Sequence, residues 1–168
     1  MATGLKRTSS DFFVSAQVIE SANNTFTSHT ISLPLSALDR EVFVITGIIM
    51  DPATPSTQPA TQCDSNLQLT RQAAIGIVGL DDFNLIAKST ETILGGAAEF
   101  AFFSKTYGNQ ITQSGQDYVD VVATPNMFLA VKGNNNIGAL TSNLRVYGYR
   151  AKADVAVYSA LIASELNA

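Results

Sequence analysis

The sequence RVYGYRAKADVAVYSALIASEL, residues 145–166, changes within a few residues from the pattern of a β-strand to that of an α-helix. In the segment 144–153, Leu144, Val146 and Gly148 alternate with Arg145, Tyr147 and Tyr149, which is the period of a strand with one buried face. From residue 155 the apolar residues recur every three or four positions, as on one face of a helix. Asp154 lies between the two patterns, where its carboxylate can cap the helix and complement its dipole. The sequence therefore predicts a last strand followed by a short C-terminal α-helix over 154–168.

The apolar stripe of this helix predicts that it packs on another surface. A helix of three turns is marginal in water, whereas burying five apolar side chains contributes on the order of 10 kcal/mol before entropy is subtracted. The surface is either the chain's own sandwich or a neighbouring subunit, because the helix lacks the lysines and arginines of a membrane-surface helix. The stripe consists of Val155, Tyr158, Leu161, Ile162 and Leu166, and the last four are candidate subunit contacts.

Strand-like segments separated by turn residues fill the chain before this helix. EVFVITGIIMD (41–51) is the most apolar segment and predicts a central strand that is covered on both faces. TFTSHTISLPL (25–35) alternates apolar and hydroxyl residues, and 73–94 is predicted to form one or two strands interrupted by glycines. The fold class is therefore all-β, an antiparallel β-sandwich or barrel. We expect one such domain over 11–153, after a flexible N-terminal segment over 1–10.

The segment DPATPSTQPATQCDSN (51–66) predicts a long external loop, because proline cannot donate a hydrogen bond to a strand ladder. Loops longer than about 12 to 15 residues in a compact domain are often functional. A role in contacts between subunits is one interpretation, and a plain connection between strands is the other. The candidate contact residues in this loop are Pro52, Pro55 and Pro59.

The composition favours assembly over nucleic-acid binding. Charged residues make up only 14% of the chain, so the surface has to be largely neutral and polar, and such a surface loses its water at low cost. The net charge of -4 argues against a dominant phosphate-binding role, and the N-terminal segment contains only Lys6 and Arg7 as basic residues. We expect no strong nucleic-acid binding. The longest apolar run, 42–50, is too short to span a membrane, and we expect neither a cleaved leader nor a transmembrane segment.

The residue types that carry catalysis or bind cofactors form no recognisable motif. Cys63 is the only cysteine, and His29 is the only histidine, in a strand-like segment where its neighbour Ser28 points to the opposite face. No phosphate-binding glycine motif occurs, and GNNNIG (133–138) is best explained as a turn. We therefore expect no enzymatic activity, no cofactor and no metal. Four aspartates could in principle form an acid/base pair or an oxygen-rich calcium site, but solvated carboxylates in turns explain them better. They are Asp81, Asp82, Asp117 and Asp120.

Several of these features together resemble the single jelly-roll virion proteins of small viruses. They are the antiparallel strands, the long proline-rich loop, the few charges, and the segments TPNMFLAVKGNNN (124–136) and LRVYGYRAKAD (144–154). The resemblance extends over about 11–153 and implies a jelly-roll sandwich of about eight strands that assembles into a shell. The chain departs from one variant of this pattern, because MATGLKRTSS (1–10) is not a strongly basic arm.

Two hypotheses about function follow. The first is a capsid subunit that self-assembles into a symmetric shell, with copies of itself and other virion proteins as partners. Its location would be the virion, after assembly in the host-cell cytoplasm. The alternative is a carbohydrate- or receptor-binding module of the fibre or lectin type, in which Tyr107, Tyr147 or Tyr149 would stack on a sugar.

Overall fold

The computed structural model describes residues 4–97, 101–107 and 117–166, which form two five-stranded antiparallel sheets and one helix. In the first sheet, β1 and β2 lie one after the other along β10, followed by β4 and β8. In the second sheet the order is β3-β9-β5-β6-β7. The elements are β1 Leu5–Arg7, β2 Phe12–Ile19, β3 Thr27–Ser32, β4 Glu41–Asp51, β5 Gln62–Thr70, β6 Leu85–Gly95, β7 Ala101–Tyr107, β8 Asp120–Val122, β9 Asn126–Asn134, β10 Thr141–Ala153 and α1 Val155–Leu166.

The connections make this sandwich a jelly roll. The chain passes from the first sheet to the second between β2 and β3, returns for β4, and crosses again before β5, β8, β9 and β10. Four strands in the order β2-β10-β4-β8 therefore face four in the order β3-β9-β5-β6, which is the interleaved arrangement of two Greek keys. The predicted all-β fold with a C-terminal helix is confirmed. The described residues add two strands to the expected eight, β7 and also β1, which lies within the segment 1–10 that we expected to be flexible.

Strand β4 is covered on both faces, as its uninterrupted apolar sequence predicted. Phe43 and Ile45 are fully buried between the two sheets. Val42 and Val44 point the other way and are equally buried, in a second and smaller core beneath the helix. A register shift opposite Gly148 separates the two halves of the β4–β10 pairing. The first sheet therefore lies between two apolar layers at the end where β4 begins.

The helix packs on the outer face of the first sheet of its own chain. Its N-terminus is capped as predicted, because the backbone N–H of Val157 donates to Asp154 Oδ1 over 2.8 Å. The prediction that the whole apolar stripe is buried is wrong for two residues, because Val155 and Leu166 are 63% and 68% exposed. The docked face is therefore rotated about the helix axis relative to the predicted stripe, and it includes Val157 in place of Val155. The docked side chains are Val157, Tyr158, Leu161 and Ile162, against Val42, Val44, Val121, Ala123, Ala151 and Ala153.

Residues 71–84 form an irregular loop, so the prediction of strands over 73–94 is correct only from Leu85 onward. The backbone of this loop bonds to side chains instead of a neighbouring strand. Gln68, which is fully buried on β5, donates to the carbonyl of Gly76 and accepts the N–H of Val78, over 2.9 and 2.8 Å. Lys88 Nζ on β6 donates to the carbonyl of Val78 over 3.0 Å. These bonds satisfy polar groups that a strand ladder would otherwise pair.

Candidate interaction surfaces

Three loops at one end of the sandwich are joined by asparagine side chains. They are the connections β2–β3, β4–β5 and β9–β10, and the centre of the group is Asn136, which is 5% exposed. Asn136 Oδ1 accepts the N–H of Ser56 over 2.8 Å, and its Nδ2 donates to the carbonyl of Asp64 over 2.8 Å. The Nδ2 of Asn24 donates to the carbonyl of Asn136 over 3.0 Å, and the N–H of Asn136 donates back to Asn24 Oδ1 over 2.7 Å. These hydrogen bonds hold the long loop in one conformation.

A buried carboxylate joins distant parts of the backbone at each end of the sandwich. Glu20 accepts the N–H groups of Gly133 and Leu140 over 2.6 and 2.9 Å and is 4% exposed. Glu165, near the end of the helix and 1% exposed, accepts the N–H groups of Ala123 and Thr124 over 2.6 and 2.9 Å. Bonds from N–H groups to a carboxylate are stronger than neutral ones, so each glutamate fixes one end of the fold.

The loop 71–84 presents large apolar side chains to solvent. Ile75, Leu80 and Phe83 are 74–103% exposed, so they do not belong to the core. Beside them lies a cavity of about 460 Å³, bordered by the loop, β8 and the helix. Arg71 and Asp120 line this cavity and form an ion pair, with 2.5 Å between Nη2 and Oδ2. The remaining lining residues are Phe83, Tyr118, Val121, Leu161, Ser164 and Glu165.

A second apolar region lies on the outer face of the first sheet, beyond the helix. We call it the uncovered face and define it by the outward side chains Phe13, Ser15, Gln17, Ile19, Ile49, Asp51, Asn143 and Arg145. Phe13, Ile19 and Ile49 are each more than half exposed. The ring of Phe13 lies between Tyr147, with 6.2 Å between ring centroids, and Arg145, whose guanidinium carbon is 4.8 Å from the Phe13 centroid. A shallow groove of about 440 Å³ crosses this face.

A third apolar region lies at the β7 edge of the second sheet. Phe102 and Phe103 are 67% and 53% exposed, on opposite faces of this strand, and Leu94 is the register partner of Phe102. Within the described ranges no strand pairs with the outer edge of β7. Exposed aromatic residues on an open edge strand are typical of a strand that meets another chain.

Some of the predicted contact residues are buried in the fold, and others are exposed. Pro52 and Pro55 are buried in the chain's own fold, and Pro59 is exposed. The loop is shorter than predicted, because β5 already begins at Gln62. Tyr158, Leu161 and Ile162 are half-buried on the chain's own sheet, whereas Leu166 is exposed. Whether any of these residues contacts another subunit stays a prediction.

The other candidate side chains are dispersed over the fold. Cys63 is buried in β5, with Sγ 3.1 Å from the carbonyl oxygen of Asn135, and His29 is exposed on β3. Asp120 pairs with Arg71, and in the part of the chain that the structure describes no three His, Cys, Asp or Glu residues cluster as metal ligands. No helix among the described residues is long and apolar enough to cross a membrane.

The tyrosines proposed for sugar stacking are engaged in the chain's own contacts. Tyr147 packs against Phe13, and Tyr149 lies beneath the guanidinium of Arg7, 4.4 Å from its ring centroid, and against the helix. The side chain of Tyr107 lies outside the described residues. Phe13, Ile49 and Phe83 were not predicted from the sequence to be surface residues. Both faces of their segments contain apolar residues, so alternation alone did not indicate which residues are exposed.

The structure resembles those of viral jelly-roll proteins. Chimpanzee polyomavirus VP1 is similar with a TM-score of 0.43 and 7% identity, over 89% of this chain and 99% of that one. A structure of desmodium yellow mottle tymovirus is similar with a TM-score of 0.31 and 11% identity, over 86% and 87% of the two chains. The structure of the empty head of turnip yellow mosaic virus is similar with a TM-score of 0.24 and 11% identity, over 88% of this chain and 83% of that one. No family description and no curated protein matches the sequence. None of these likenesses is close enough to transfer a function to this chain.

Proposed function

We propose that this chain is a structural virion protein, a capsid subunit that self-assembles into a symmetric shell. The observation that carries the proposal is the exposure of large apolar side chains in three separate regions of one sandwich. The regions are the uncovered face, the loop 71–84 and the β7 edge. Soluble monomers rarely expose several such regions, because each one promotes association.

A shell needs more than one kind of contact for each subunit. A single self-complementary patch produces only a dimer, whereas closed assemblies with several symmetry axes use different surfaces of the same chain. The three regions lie on different sides of the fold. The uncovered face is on the first sheet, the loop 71–84 is at one end of the sandwich, and β7 is at one edge of the second sheet. Their number and separation therefore suit a subunit with several neighbours better than a module that binds one ligand.

The rest of the surface is compatible with dense packing of subunits. On the outer face of the second sheet several polar side chains are paired by hydrogen bonds: Thr90 donates to Asn66 over 3.0 Å and Thr92 to Asp64 over 2.7 Å. The charged fraction of 14% and the net charge of -4 limit repulsion between copies. The partners would be further copies of the chain and other virion proteins, and its location would be the virion, assembled in the cytoplasm of the host cell.

The proposal is tested by placing one lysine in each apolar region and measuring assembly by sedimentation velocity. Wild-type protein should sediment as a large species, and Phe13→Lys, Phe83→Lys and Phe102→Lys should each reduce its fraction. Leu38→Lys is the matched control, because Leu38 is 98% exposed in a short turn outside the three regions. If the wild type and all three variants sediment alike as monomers, the chain is not a self-assembling subunit.

A further inference from the structure

The uncovered face is the part of the first sheet's outer surface on which the helix does not pack. The helix covers the same sheet at the other end, from Ala153 to Tyr149 along β10, and stops short of Tyr147. The opposite outer face, on the second sheet, bears threonine, asparagine and aspartate side chains that bond to one another. The uncovered face presents Phe13 and Ile19 on β2 and Ile49 on β4, on the two sides of β10, and each is more than half exposed.

Two opposite charges on this face are unpaired. Within the described ranges neither Arg145 nor Asp51 takes part in an ion pair: Arg145 stacks on the Phe13 ring, and Asp51 accepts only the Nδ2 of Asn143, over 3.2 Å. The side chain of Arg145 extends from β10 over Phe13 of β2. Asp51 lies on β4, on the other side of β10, two residues after the register partner of Arg145. The Arg145 guanidinium and the Asp51 carboxylate therefore lie on opposite sides of the central strand β10, at different levels along it.

We propose that the uncovered face is a two-fold interface with a second copy of this chain, in which Arg145 of each copy pairs with Asp51 of the other. A two-fold axis that lies in the plane of the face, midway between the two charges, places Arg145 of each copy opposite Asp51 of the other, with the strands of the two copies crossing at an angle. Both charges then gain a partner. Self-complementarity of this kind is what a two-fold contact requires. The inference rests on the proposed function, since it names one of the contacts in the shell.

The size of the face sets the expected strength of the contact. Three strands about 4.8 Å apart and roughly eight residues long at about 3.3 Å each cover roughly 400 Å² of sheet. A standard interface buries about 800 Å² on each partner, so this contact is weak alone and gains from the other contacts of a shell. We therefore expect a dimer in concentrated solution that dissociates on dilution.

Charge exchange between copies tests the interface directly. Arg145→Asp alone places two aspartates against each other in both of the proposed contacts, and Asp51→Arg alone places two arginines against each other. Each variant should weaken self-association about ten-fold or more, because like charges are brought into contact. In an equimolar mixture each Arg145→Asp copy can pair with an Asp51→Arg copy, which restores two opposite-charge contacts. Association is measured by sedimentation equilibrium, and mixed dimers are counted by native mass spectrometry.

The expected result is that the mixture associates as the wild type does and that mixed dimers dominate. Lys132→Asp, on the outer face of the second sheet, is the control and should leave association unchanged. All three side chains are at least partly exposed, so circular dichroism should show unchanged folding. A mixture that associates no better than its components overturns the interface, and so does a wild-type chain that stays monomeric at about 1 mM.

This interface and the proposed function fail in different ways. Shells that form equally well from either single variant overturn the interface and leave the capsid function standing. Restored pairing in the mixture, without shells under any condition, supports the interface and contradicts the capsid function.

Discussion

Replacing Glu165 by glutamine should detach the end of the helix from the β8–β9 turn. The two carboxylate oxygens accept the N–H groups of Ala123 and Thr124, and the side chain is 1% exposed. Glutamine has one acceptor oxygen, and its amide group would direct a donor at the second N–H. One buried backbone donor is then left without an acceptor, which costs about 1–3 kcal/mol.

We expect Glu165→Gln to lower the free energy of unfolding by about 2 kcal/mol, and Glu165→Ala, which leaves both donors unpaired, by about 4 kcal/mol. For a chain of this size the first change corresponds to a fall in Tm of about 4–8 °C. Urea unfolding followed by far-UV circular dichroism measures the difference at protein concentrations below assembly. Hydrogen exchange should become faster at the amides of Ala123 and Thr124 in particular.

Asp81→Asn is the matched control for this experiment. Asp81 lies in the loop 71–84 and is exposed, so removing its charge should change stability by less than about 0.5 kcal/mol. If Glu165→Gln unfolds within about 0.5 kcal/mol of the wild type, the carboxylate does not anchor the helix as the distances indicate.

Three further substitutions test the same account. Glu20→Gln should lose about 2 kcal/mol at the opposite end of the sandwich, measured by the same urea titration, because Glu20 also accepts two backbone N–H groups. Asn136→Ala should lose about 2 kcal/mol and make the loop 52–61 more sensitive to limited proteolysis, whereas an unchanged cleavage rate would contradict the role of Asn136 in ordering it. Gly148→Ala should yield little folded protein in a solubility assay, because a Cβ there would lie 2.3 Å from the carbonyl oxygen of Val44; normal yield would show that the backbone has room to move.

Local sequence patterns were sufficient for the elements whose contacts are close in the chain. The cap at Asp154 bonds to a residue three positions away, and the apolar run of β4 needs cover on both faces wherever it lies. The exact docking face of the helix was not predictable in the same way. Val155 and Val157 are equally apolar, and only the direction in which the helix leaves the sheet decides which of them is buried.

The candidate surfaces depend on pairing between distant segments, and for this reason the sequence did not reveal them. In β2 both faces contain apolar residues, so Phe12 and Phe13 are indistinguishable until β10 is paired beside them. Glu165 and the N–H of Ala123 are 42 positions apart in the chain, and nothing near either residue indicates their bond. The loop 71–84 resembled strands because it is apolar, yet its side chains Ile75, Leu80 and Phe83 point into solvent.

Electron microscopy of the purified full-length chain is the most direct test of the central claim. The account predicts closed particles of uniform diameter at high protein concentration, built from repeated copies of this jelly roll. A population that remains monomeric by microscopy at every concentration and salt condition would contradict the assignment of this chain as a capsid subunit.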